Sequence, residues 1–115
     1  MAFFGQRGEI KFGVMITGPQ HMMLGLVFGS TELEARVVEQ QSGGGCRHAS
    51  WDHGQLRAAV AEGLAGVAAA HRVVITAVEI HCLSGDAPSY ELVSRCAYRI
   101  GERFAQGLEF EDMVG

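Results

Sequence analysis

The sequence is short of nearly everything that marks a stapled, membrane-spanning or DNA-coating chain. Two prolines in 115 residues, Pro19 and Pro88, leave long stretches free of breakers. Three cysteines, Cys46, Cys82 and Cys96, form an odd set without C-x-x-C spacing, so no disulfide framework and no paired zinc half-site follows from them. Free thiols in the cytoplasm are the expectation. Charged residues make up only 19%, against a usual share of about a quarter. Acidic residues outnumber basic ones 13 to 9, a formal net charge of −4, which argues against a duplex-DNA binder held by clustered Lys and Arg. No apolar run approaches the ~20 residues that span a bilayer, and the first residues lack the long apolar core of a signal peptide. Neither DNA nor a membrane is expected as a partner.

What is present is a globular composition. Hydrophobic residues reach 48% and glycine is abundant at 16 residues, enough for one domain over 1–115 with its own core. Residues 9–17 alternate, with Ile10, Phe12, Val14 and Ile16 on one face and Glu9, Lys11, Met15 and Thr17 on the other, the period of a half-buried strand. After the turn Gly18-Pro19-Gln20, a second strand turns Met22, Leu24, Leu26 and Phe28 inward, and a third over 31–39 does so with Leu33, Ala35 and Val37. A glycine-rich loop leads to Asp52, the expected cap of a helix over 53–70. Gly63 and Gly66 within it are expected to let it approach the sheet. A β-branched strand over 73–82 and a second helix, capped by Asp86 with Pro88 in its first turn, complete the pattern. The segment after Gly107 is expected to fray.

The order β-β-β-α-β-α predicts an α+β fold of two layers: a four-stranded, mostly antiparallel sheet with both helices on one face. The segment from Leu56 to Ala105 resembles domain IV of bacterial elongation factor G and its tetracycline-resistance relatives. The likeness rests on Leu56-Arg57-Ala58-Ala59-Val60-Ala61-Glu62-Gly63-Leu64, the strand Val73–Cys82, and Pro88-Ser89-Tyr90-Glu91-Leu92-Val93-Ser94-Arg95-Cys96-Ala97. Upstream, Gly18-Pro19-Gln20-His21 is similar to that family's glycine-bearing hairpin. The resemblance implies a ribosomal-protein-like domain with a left-handed βαβ crossover and an association with translation. The loop Leu83-Ser84-Gly85-Asp86-Ala87 is shorter than the family's tip and carries no histidine, and the basic hairpin is reduced to Thr17-Gly18-Pro19-Gln20. The implication therefore runs to fold ahead of translocation.

Two regions carry candidate chemistry. In the loop 46–53, Cys46, His48 and His53 are candidate catalytic residues as a thiol–imidazole arrangement. With Asp52 they could also ligate Zn²⁺, but a single cluster without a paired half-site makes a mobile loop anchored by Trp51 the better reading. No metal or cofactor is called for. Cys82 and Cys96 are expected to be core filler, and His71 to sit favourably at its helix's C-terminal dipole.

The second region is the sheet face away from the helices. It is expected to carry Met15, Met23, Val27, Val38, Val73 and Ile75 among Glu9, Lys11, Glu34, Arg36, Glu79 and His81. In that register no Phe, Tyr or Trp falls on it, which disfavours base stacking. A Glu79–His81 pair would need a cross-strand neighbour. Six apolar side chains on an open face favour a homo-oligomer, with Met15, Met23, Val27, Val38, Ile75, Glu79 and His81 as binding residues. The functional expectation is a homo-oligomeric binding or assembly module with weak ribosome or RNA contact. The alternative is a small-molecule enzyme of a biosynthetic pathway using the 46–53 loop or the open face.

Overall fold

The computed structural model describes residues 2–17, 20–30, 34–40, 52–83 and 89–112. Strands β1 (Ala2–Arg7), β2 (Ile10–Thr17) and β3 (Gln20–Phe28) form an antiparallel meander. Gly8 turns β1 into β2 at φ 61, a left-handed conformation that costs glycine nothing. Then come β4 (Arg36–Gln40), α1 (His53–His71), β5 (Ala77–Leu83), α2 (Tyr90–Ala105) and β6 (Glu111–Asp112). The strand order is β4-β5-β3-β2-β1-β6, with β4·β5 and β1·β6 parallel and the other pairs antiparallel. The class is α+β with a mixed sheet.

Among the described residues six strands stand in place of the expected four. Ala2-Phe3-Phe4-Gly5 does not alternate, so β1 has no period-two signature; pairing with β2 organises it, Gly5 opposite Phe12. The strand expected over 73–82 begins only at Ala77. Residues 73–76 are irregular, with Val74 86% exposed. Asp52 caps α1 as its sequence position predicts, its carboxylate accepting from the Gln55 N–H at 2.9 Å. The cap of α2 is Ser89 rather than Asp86, its hydroxyl accepting from the Leu92 N–H at 3.3 Å. Asp86 and Pro88 lie outside the described residues.

One core lies between the helices and one sheet face. Leu24, Leu26, Ile80 and Cys82 meet Leu56, Val60 and Leu64 of α1 and Val93, Cys96 and Ile100 of α2. Phe110 joins them, so the segment expected to fray docks instead, with Lys11 and Arg103 over the Phe110 ring. The expected register of β2 is inverted. Lys11 and Gly13 face the helices, and Ile10, Phe12 and Val14 face away. The cause is Gly13: a Cβ there would lie 2.9 Å from Cys96 Sγ and 3.0 Å from Ile100 Cγ1, so α2 beds into the notch that the missing side chain leaves.

The glycines of α1 serve α2, not the sheet. A Cβ on Gly63 would stand 2.3 Å from the Ser94 carbonyl oxygen, and one on Gly101 of α2 would stand 2.7 Å from Leu64 Cδ2. With the helix backbones this close, α1 packs chiefly on α2 and touches β5 only lightly.

At the C-terminal end of α1, His71 Nε2 lies 2.9 Å from Glu102 Oε2, which also accepts from the Tyr98 hydroxyl at 3.1 Å. His71 thus ties α1 to α2 beyond any dipole effect. These contacts, His71 foremost, hold the Glu102 carboxyl below its ordinary value of 4.5. A carboxylate depressed in the folded state stabilises the fold above its unfolded pKa, and that contribution is lost as pH falls through the folded one. The stability difference between wild type and Glu102→Gln should therefore be present near about pH 6 and shrink toward about pH 3. Thermal melts across that range measure it. A difference constant with pH would refute the linkage.

Candidate functional site

The opposite sheet face carries no described helix. The register lays a row across five strands on it: Gly5, Phe12, Gly25, His81 and Val38. Strand alternation adds Ile10, Val14, Met23, Val27, Arg36 and Glu79 to the same face. Six residues expected here, Met23, Val27, Arg36, Val38, Glu79 and His81, do share it. Ile75 does not. It packs against the helix-side core, because the chain has not yet entered β5 at that position. Val73 leaves the face for the same reason, and Lys11 leaves it with the inverted register of β2. The side chain of Met15 lies outside the described residues.

Phe12 overturns the expectation of a face without aromatics. Its ring lies across Gly25, its direct cross-strand neighbour: a Cβ on Gly25 would be 2.6 Å from Phe12 Cε1 and 2.8 Å from Ile10 Cγ2. The ring is therefore only 7% exposed although no described helix covers it. Such a ring is not available to stack a base.

His81 stands on the far side of Gly25 and is 8% exposed. Its Nε2 is 2.6 Å from Glu79 Oε1, so the pair forms within one strand and needs no cross-strand neighbour. Among the described residues neither ring nitrogen has a hydrogen-bond partner. A buried polar group left so costs about 1–3 kcal/mol and is normally met by water, a ligand or a partner. Arg36 lies opposite Glu79 in the parallel pairing of β4 with β5. The result is an apolar field with one polar island: imidazole, carboxylate and guanidinium.

The other candidate region assembles less. Cys46 and His48 lie outside the described residues; His53 is exposed at the first turn of α1, on the helix side of the sheet. Cys82 and Cys96 are buried. Cys96 Sγ lies 3.6 Å from the Gly13 carbonyl oxygen, and burial pushes its thiol up to about 12, far from a nucleophile's range. Among the described residues no three His, Cys, Asp or Glu converge as metal ligands, and no helix is long and apolar enough to cross a membrane.

The residues that sequence reasoning missed are Phe12 and Gly25. A signal existed: pairing Thr17 with Gln20 across a two-residue turn fixes Phe12 opposite Gly25, and an aromatic beside a strand glycine tends to cover it. No family model matches the chain, and no curated protein or solved structure is significantly similar to it.

Proposed function

We propose that this chain is a homo-oligomeric binding and assembly module that pairs with a second copy through the sheet face opposite the helices. One observation carries the reading: Ile10, Val14, Met23, Val27 and Val38 surround Phe12 on a face over which no described helix lies. An apolar sheet face is normally packed against a second layer, and two such faces pack against one another about 10 Å apart. A two-fold axis brings the same patch to itself, so Arg36 of one copy can meet Glu79 of the other at the polar island. The segment from β2 to α2 keeps the β-β-β-α-β-α order of the elongation factor G domain IV that the sequence resembles. That likeness supports a two-layer ribosomal-protein-like domain with a translation-associated, cytoplasmic role. The net charge of −4 keeps any ribosome contact weak.

Sedimentation equilibrium tests it. Wild type should run as a dimer, and Val27→Glu, which sets a second carboxylate opposite Glu79, should run as a folded monomer. A wild-type monomer at tens of micromolar would remove the proposal. Pelleting with ribosomes over a salt series tests the translation association separately.

A second reading has its own observation, the unpartnered Nδ1 of His81 beside the Glu79 carboxylate. In that reading the imidazole takes a proton from a small substrate on this face. In that case His81→Gln abolishes turnover, whereas Cys82→Ala retains it.

A further inference from the structure

A second feature lies on the helix side of the sheet, away from the proposed pairing face. Between α1 and the start of β5 runs a cleft of ≈ 630 Å³, within the usual size of small-molecule sites. Its cause is the helix pairing. Gly63 and Gly101 draw α1 onto α2 and off the β4–β5 side of the sheet. There α1 lines the gap largely with short side chains, Ala58, Ala61, Ala65 and Ala68, while Val74 and Ile75 form the facing wall. The groove opens to solvent along Ala58, Ala61, Ala65 and Val74, so an apolar chain laid in it would be removed from water. The cleft carries its formal charge in Arg57 and Glu34. Arg57 is fixed by its Nε donating to the Ala35 carbonyl at 2.7 Å. Among the described residues its Nη1 faces Glu34 at 3.6 Å, a carboxylate whose side chain is 83% exposed.

We propose that this cleft binds an aliphatic carboxylate, its chain laid along the alanine side of α1 and its headgroup on Arg57. The complementarity decides the ligand class. The apolar lining excludes sugars and nucleotides, which would lose hydrogen bonds to water and find no partners there. An anchored guanidinium with a displaceable partner selects a planar anion over an alcohol or amine.

Calorimetric titration with decanoate and with 1-decanol, both below their aggregation limits, tests the proposal. Decanoate should bind saturably, one per chain. Arg57→Gln should weaken decanoate about tenfold and leave decanol unchanged, while Ala61→Phe and Ala65→Phe, both at exposed helix positions, should block both ligands. Val27→Glu should bind as wild type does, so a failed sheet-face interface and a failed cleft give different results. The proposal is overturned by absent or non-saturable binding, by an Arg57→Gln variant that binds decanoate normally, or by an Ala61→Phe variant that still binds. It is overturned as well if Ala61→Phe dissociates a dimer that Val27→Glu leaves intact, for then a second copy fills the cleft.

Discussion

Gly63→Ala should lower stability by about 3 kcal/mol, while Gly66→Ala, three residues on in the same helix, should change it by less than about 1 kcal/mol. Propensity alone predicts the opposite of a loss, since alanine exceeds glycine by up to about 1 kcal/mol within a helix. Geometry decides between the two sites. At Gly63 the new Cβ would meet backbone: the Ser94 carbonyl oxygen at 2.3 Å and the Tyr98 nitrogen at 2.9 Å, besides Ala97 Cβ at 2.9 Å. Backbone in the middle of α2 can yield only if the two helices separate, which loosens the contacts of Leu64, Val67 and Gly101. At Gly66 the new Cβ would meet the Tyr98 ring at 3.0 and 3.3 Å, a half-buried side chain that can tilt by a few tenths of an ångström. Urea titrations of both variants measure the contrast. Equal stabilities would mean that the helices are not as closely seated as described.

The second large effect concerns Phe12. Truncating it to alanine should cost about 3 kcal/mol, the loss expected of a buried core ring, although it lies on the face opposite the helices. Gly25→Ala should cost about 2 kcal/mol, against the gain of 0.5–1 kcal/mol expected from replacing a strand glycine, because its Cβ would occupy the space of Phe12 Cε1. Once the ring is gone, that objection disappears. The double variant should therefore be more stable than the sum of the single losses by about 1–2 kcal/mol. Additive losses would show that the ring does not rest on Gly25.

Much of the fold is legible in the chain, and the failures have physical causes. The helix-facing side of β3, the cap of α1 and the inward turn of Ala35 and Val37 follow from periodicity and capping. In β2 both sides carry apolar residues, so alternation alone does not say which faces the helices; the bedding of α2 against Gly13 does. At 73–76 a β-branched run overstates the strand, since β propensity reports suitability for a half-covered surface and not pairing itself. The Glu79–His81 contact lies within one strand, where the side chains' own reach sufficed to join them. Cys46 and His48 remain a matter of sequence, since they lie outside the described residues.

The strand order has a consequence for how the sheet is completed. Its first three strands are neighbours in sequence and can zip in turn. By contrast, among the described residues β4 pairs with β5 alone, and β5 arrives only after the nineteen residues of α1. A nascent chain that ends before Ala77 has no place for Arg36–Gln40 in this architecture. Insertion of β5 beside β3 is thus the event that recruits the waiting edge, and assembly of this half is governed by closure of a long loop, a slow step by the nature of such contacts.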